Sequence, residues 1–369
     1  MMKSFEYGDE EIGSREILYA VSSMVIGVGI FGLPRTVGSV TKGSDGWVSI
    51  LLGGVLALFF AWLVAKLASR FPRQTFLQYT TTLVSKPVAI FLTILLAFHL
   101  MQFTAYEMRT VANISKVYLF DRTPVEVIAL LFLLVVTYGV ACSSVGLFRL
   151  NLLFLPIVLL IAILLLIMNI GYFEPGNLKP VFSTKWTGYF QGARETLFAF
   201  LGFEILLVYI AMTNQPEKTP KAVMIGMSIP LLLYLFVFII VVGVFGHTAM
   251  IQLTDPTIEI AKEVEVPGEF FERFESLFFT IWIMTIFNTS ALAFDASVLA
   301  FRSVFPKIKR VWLIFFLAPI IYLFGMMPPN LIRVYEVGNW LGFSGFIFAI
   351  LMPTILFGIA KLRGIKGNA

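Results

Sequence analysis

The sequence predicts an all-α integral membrane protein of ten transmembrane helices, built as a five-plus-five inverted repeat with broken first and sixth helices. Three observations carry that expectation. Of 369 residues, 59% are hydrophobic and only 13% charged, and the mean hydropathy of +0.90 exceeds what a soluble domain tolerates. The apolar residues fall into ten stretches, each close to the roughly 20 residues that a bilayer core requires. The first and sixth stretches are interrupted by glycine at mid-depth, and because five is odd, repeating a five-helix unit inverts it in the membrane.

The stretches run roughly over 16–39, 46–67, 87–113, 124–143, 149–171, 190–211, 221–246, 273–297, 310–327 and 336–361, in one transmembrane domain, 1–369. Repeat one covers about 16–171 and repeat two about 190–361. Ahead of the first stretch, Glu6, Asp9, Glu10 and Glu11 replace the basic start of a cleaved signal peptide, so that stretch is expected to be retained. It contains Gly27-Val28-Gly29-Ile30-Phe31-Gly32-Leu33-Pro34-Arg35. Each glycine costs a helix about 1 kcal/mol relative to alanine and the proline removes a donor, so the helix is expected to break there. Broken backbone at membrane depth must face protein, water or a ligand, which makes this stretch a candidate binding site.

In the third stretch, His99 and Gln102 fall near the midplane and share a helical face with Tyr106, whereas Glu107 and Arg109 are placed at the outer interface. The fifth contains Asn151 and Asn169 but no lysine. The sixth breaks at Phe198-Ala199-Phe200-Leu201-Gly202-Phe203-Glu204. After the seventh, the connection from His247 to Glu272 reads as a short helix with Asp255 as N-cap, Pro256 in its first turn and a stop at Pro267-Gly268. That helix is either a solvated connector or a lid over an outward pocket. The eighth stretch carries Thr285, Asn288, Thr289 and Ser290 near its middle, with Asp295 beyond them. Pro319 interrupts the ninth and Pro328-Pro329 closes it. With both termini cytoplasmic, 16 of the 27 Lys and Arg residues lie inside, the bias that orients membrane proteins.

Several function classes drop out. The net charge of +5 resides in short loops between apolar stretches, so it signals orientation rather than nucleic-acid binding. A single cysteine, Cys142, cannot form an intramolecular disulfide, and no Cys/His cluster suits a metal. Neither a nucleophile elbow nor a phosphate-binding Gly-Lys-Ser/Thr loop is present. No enzyme activity, cofactor or metal is expected.

Two interruptions five stretches apart resemble the broken first and sixth helices of amino acid–polyamine–organocation transporters. Within that superfamily, Ile26-Gly27-Val28-Gly29-Ile30 followed by Leu33-Pro34-Arg35, the early acidic segment, the end after ten stretches and the basic close from Lys361 to Lys366 resemble the spore germination permease family. Its members are the B subunits of Ger-type nutrient germinant receptors, so the resemblance implies a subunit that senses a small nutrient, commonly an amino acid. It further implies A-type and C-type partner subunits and a place in the lipid of the spore inner membrane. The alternatives are a secondary amino acid permease coupled to H+ or Na+, and a membrane scaffold with a vestigial pocket.

Under either ligand-binding reading, unwound backbone and half-helix N-termini hold a substrate carboxylate. The expected substrate-binding residues are Gly27, Val28, Gly29, Ile30, Gly32, His99, Gln102, Phe198, Phe200, Gly202 and Asn288. The resemblance also implies that Thr289 and Ser290 match hydroxyls that coordinate sodium in the superfamily. Glu204, a carboxylate in an apolar neighbourhood, reads as a gating or proton-sensing group or as a structural acceptor. Bland roles stand beside these: glycines pack helices closely, His99 bonds between helices, and Ser/Thr bond their own backbone.

Overall fold

The computed structural model describes residues 11–263 and 274–367. Helix α1 (Ser14–Ile26) begins where the Glu16 carboxylate accepts the Gly13 N–H, and it ends at Gly27. Only Gly27 and Val28 separate it from α2 (Gly29–Gly38), which departs at 53°. The interruption is narrower than expected, because Pro34 lies inside α2. A proline strips the carbonyl four residues before it of its helical partner. That carbonyl, Ile30 O, instead accepts the Thr257 hydroxyl at 2.8 Å.

Next come α3 (Gly46–Ala68), α4 (Phe76–Leu83), α5 (Lys86–Tyr118), α6 (Val125–Cys142) and α7 (Ser144–Met168). Side chains mark the starts of two of these. The Thr75 hydroxyl and the Gln78 amide cap each other's backbone ahead of α4, and Ser143 accepts the Gly146 N–H at the start of α7. The sixth stretch is α8 (Trp186–Thr196), a 3-10 turn Phe198–Phe200, extended Leu201 and Gly202, a second 3-10 turn Phe203–Ile205, and α9 (Leu206–Tyr209), bent by 50°. Gly202 takes φ +122°, which L side chains rarely adopt.

The chain continues as α10 (Thr219–Met250), α11 (Pro256–Lys262), α12 (Phe274–Val304), α13 (Arg310–Met326), α14 (Leu331–Gly345), a π turn (Phe346–Leu351) and α15 (Met352–Leu362). α10 bends at Gly246, φ +71°, where the seventh stretch was expected to end. Among the described residues, seven helices are long and apolar enough to span a membrane, and the two bent pairs bring the number to nine. In the ninth expected place stands α13, which at 17 residues is shorter than the others. The protein is an integral membrane protein, all-α, with its first and sixth spans broken.

Burial separates the inner helices from the lipid-facing ones. In the most apolar window of α12, 78% of residues are buried, against 28% in α6, so α12 is a central pillar and α6 is peripheral. α12 packs along α5, and α10 packs against both α1 and α3. Ahead of α3, fully buried Asp45 accepts from the N–H groups of Phe182, Ser183 and Thr184 at 2.5–2.8 Å and from the Tyr189 hydroxyl of α8 at 3.1 Å. Burial acts to raise its pKa, but these hydrogen bonds outweigh burial and hold the carboxyl below its ordinary value.

The connection after α10 is no solvated connector. Pro256, Thr257, Ile258, Ile260 and Ala261 are buried against α2 and α12, while Lys262 and Glu263 face outward. Asp255 occupies the N-cap position, but its side chain makes no capping bond. The expected stop at Pro267-Gly268 lies outside the described residues, as do Glu6, Asp9 and Glu10.

Candidate functional site

The two breaks meet. A Cβ on Gly29 would lie 2.9 Å from the Ala199 Cα, and one on Gly202 would lie 3.0 Å from the Met24 backbone. The Tyr234 hydroxyl sits 2.5 Å from Val25 O and 3.1 Å from Ala199 O, joining the last turn of α1 to the second break. Glycine at 29 therefore gives close approach of backbone to backbone. Gly32 has nothing within 4 Å of a built Cβ, so packing does not require glycine there. Phe200 is buried and tilted against Tyr234 at 5.1 Å.

A carboxylate lies at the first break. Glu107 of α5 is 1% exposed, and its Oε2 accepts from Thr289 Oγ1 at 2.5 Å and Ser290 Oγ at 2.9 Å on α12. Its Oε1 makes no well-aligned hydrogen bond, although the Val28 N–H lies beside the carboxylate, and it occupies the space that a Cβ on Gly27 would need, at 2.5 Å. No basic side chain lies within 4 Å among the described residues. Trp282 of α12 closes the other side, its indole N–H directed at Gly27 O at 3.3 Å. Asn288, 1% exposed, leaves both amide atoms unpaired, and Thr285 Oγ1 is likewise buried without a partner. Orphaned polar groups at this depth cost about 1–3 kcal/mol each unless something completes them, so the arrangement suits a small polar guest or a proton.

The second break carries its own cluster. Glu204 is fully buried; its Oε2 accepts the Gly202 N–H at 2.8 Å and its Oε1 lies 3.0 Å from His99 Nε2. The other ring nitrogen of His99 lies 2.9 Å from Ser344 Oγ, and its ring stacks on Phe348 at 5.1 Å within the π turn. One hydrogen-bonded chain thus links α5, the second break and α14. It is a carboxylate–imidazole pair able to hold or pass a proton.

Of the expected residues, Gly27, Thr289 and Ser290 come together around Glu107, and His99 joins Glu204 and Gly202. Val28 is the residue between α1 and α2, and the Ile30 carbonyl is taken by Thr257. Gln102 stands apart, exposed on a lateral cavity between α5, α13 and α14. Phe198 packs edge-on against Tyr106 at 5.7 Å, beside that cavity. Glu107 and Arg109, placed at the outer interface from sequence, are both shielded by protein, Glu107 against α12 and Arg109 beside Pro328 past the end of α13. A usable signal was the i, i+3 pair Thr104 and Glu107, since Thr104 also lies 3.4 Å from Ser290 O and so marks the face turned to α12. Also unforeseen is a polar knot at the opposite end of the bundle. There buried Asp295 accepts from Arg310 at 2.6 Å and Tyr209 at 2.8 Å, and Arg310 also reaches Val140 O at 2.5 Å.

α11 covers the first break through Thr257. Burial pushes the Asp255 carboxyl up to about 6, opposed by Arg35 and reinforced by Glu259. Tyr118 donates to Glu259 at 2.7 Å, and Lys262 lies 4.7 Å over the Tyr118 ring. Among the described residues, no three His, Cys, Asp or Glu side chains are grouped to hold a metal ion.

Comparison with known proteins agrees with this architecture. Residues 11–333 match the spore permease family model, described as "Spore germination protein". The chain is 42% identical over 369 residues to spore germination protein GerLB of Bacillus cereus, covering 100% of this chain and 99% of that protein. It is 30% identical to spore germination protein YndE of Bacillus subtilis (strain 168), covering 96% and 97% of the two chains. Among solved structures it is similar to Mhp1, a nucleobase-cation-symport-1 family transporter, in a closed conformation with bromovinylhydantoin bound. The TM-score is 0.68 at 13% identity, covering 96% of this chain and 79% of that one.

Proposed function

The chain belongs to the spore germination protein family, and from that premise we propose that it is the transporter-like, nutrient-sensing subunit of a germinant receptor, with a small amino acid as the nutrient. The observation that carries the reading is the pair of touching breaks, with the buried Glu107 carboxylate held by Thr289 and Ser290 against Gly27 of the first. Transporter folds place substrates where such breaks meet. Here two five-helix halves, about 16–171 and 190–361, would each contribute one break. A guest that satisfied the orphaned groups in one arrangement of the halves and not in the other would shift the balance between them by its differential affinity. A-type and C-type subunits would read that shift, with the chain in the spore inner membrane and both termini cytoplasmic. The distribution of basic residues supports this orientation.

A proton- or sodium-coupled permease is the competing reading. The likeness to a transporter fold and the Glu107–Thr289–Ser290 cluster favour it. The experiment places the purified chain in liposomes and measures binding and uptake of labelled amino acids under imposed proton and sodium gradients. Saturable binding without accumulation is the expected result. Gradient-driven accumulation by the chain alone would replace the receptor reading with the permease.

A further inference from the structure

Arg109 is a buried charged group that faces a cavity. It is 7% exposed; one terminal nitrogen points at Met326 Sδ at 3.2 Å and the other at Pro328 O at 3.3 Å, while Nε is buried without a partner. Among the described residues no carboxylate lies within 4 Å of it. Glu107, two residues away, turns to Thr289 and Ser290, and Glu336 is paired with Arg333. Arg109 lines a cavity of about 260 Å³ between α5, the end of α13 and the start of α14. Its polar lining is Gln102, Tyr106 and Arg109, and apolar side chains such as Phe324, Val337 and Trp340 form the rest. A buried cation with no counter-ion is costly in a membrane, so the site is incomplete without an anion.

Depth and surroundings identify the anion. Arg109 bonds Pro328, just past the end of α13, so its guanidinium is level with the membrane face where α13 ends and α14 begins. Around the mouth, Met327 is 70% exposed and Trp340 73%, and Ile332 and Phe343 are exposed on the same helix as Trp340, which makes this a lipid-facing rim. Tryptophan at that level is typical of the headgroup boundary. A soluble anion would leave the apolar walls wet, whereas a lipid phosphate offers oxygens to the guanidinium and an acyl chain to the walls. We propose that this cavity is a specific site for an anionic phospholipid, its phosphate on Arg109 and one acyl chain along Val337 and Trp340. The occupant would bear on the second break, because Tyr106, one wall of the cavity, packs on Phe198 and lies against Gly338. This inference stands independently of the nutrient reading.

The test uses the full-length protein in nanodiscs of phosphatidylcholine with or without phosphatidylglycerol. Bound lipid is read by mass spectrometry, alongside the thermal unfolding temperature. Expected is retained phosphatidylglycerol and a raised unfolding temperature, with retention reduced about tenfold in Arg109→Gln. Val337→Trp, which fills the cavity and keeps the charge, should give the same loss and guards against a folding defect in the first variant. Equal retention by wild type and both variants would overturn the site. Stabilisation by inorganic phosphate or L-alanine, but not by phosphatidylglycerol, would overturn the lipid assignment.

Discussion

Glu204 does two jobs at once. Its carboxylate holds the positive-φ Gly202 backbone through one oxygen and His99 through the other. Glutamine offers one acceptor and one donor, so Glu204→Gln keeps both contacts only if the amide donates to an unprotonated His99 Nε2, which forces the imidazole into one tautomer. The expected outcome is a folded protein with a weaker nutrient response, read as germination rate against nutrient concentration. An unchanged curve would assign the residue to structural support of the break. Glycines divide at the same scale. Gly29→Ala drives a methyl into the Ala199 backbone and should lower stability by about 1–3 kcal/mol, whereas Gly32→Ala meets open space inside α2 and should raise it by up to about 1 kcal/mol. Thermal unfolding of the two variants in detergent checks the contrast.

α11 is the element most open to regulation, because only seven residues hold it over the first break. Its docking depends on Thr257, which replaces the hydrogen bond that Pro34 denies to Ile30. Asp255, at its start, titrates near 6 in the folded protein against about 3.9 in an unfolded chain. A raised carboxyl pKa means that the folded state binds more protons between those values. Stability from this group is therefore fully present below about 3.9 and is lost as pH rises through about 6. Amide exchange over 256–262, corrected for intrinsic rates, should show protection falling between pH 5 and about 7. Asp255→Asn should abolish the dependence; a pH-independent profile in the wild type would remove Asp255 from any role in docking.

At the scale of the whole molecule, the bundle is tied at mid-depth by the breaks and at the opposite end by the Asp295–Arg310–Tyr209 knot. That knot joins α6, α9, α12 and α13. Removing one partner of a buried ion pair leaves the other uncompensated. Arg310→Ala should therefore destabilise the protein by about 3 kcal/mol. The double change Asp295→Asn with Arg310→Met should recover much of it, because neither charge then remains buried. Equal unfolding temperatures for the single and double variants would show that the knot acts through packing and not charge.

What the sequence determined by itself was local. Span length follows from runs of apolar residues, and the break at Gly27 follows from glycine, whose effect on a helix needs no neighbour. Gly202 did the same in the sixth span. Pro34 shows the limit of local reading: its missing hydrogen bond argued for an interruption, and a threonine 223 residues later, Thr257, made the helix tolerable. Partners across the bundle were decided only by tertiary structure. Helical period says which residues share a face, as His99, Gln102 and Tyr106 do, but not which helix that face meets, and bends at the breaks turn the faces of their neighbours. So His99 met Glu204, Gln102 opened onto a lateral cavity, and Glu107 turned inward to Thr289 while Arg109, half a turn away, turned toward Pro328. In a membrane nearly every span is apolar on all sides, so hydrophobic patterning, which orients helices in soluble proteins, carries little information about facing. Packing and the pairing of the few polar groups decide it instead.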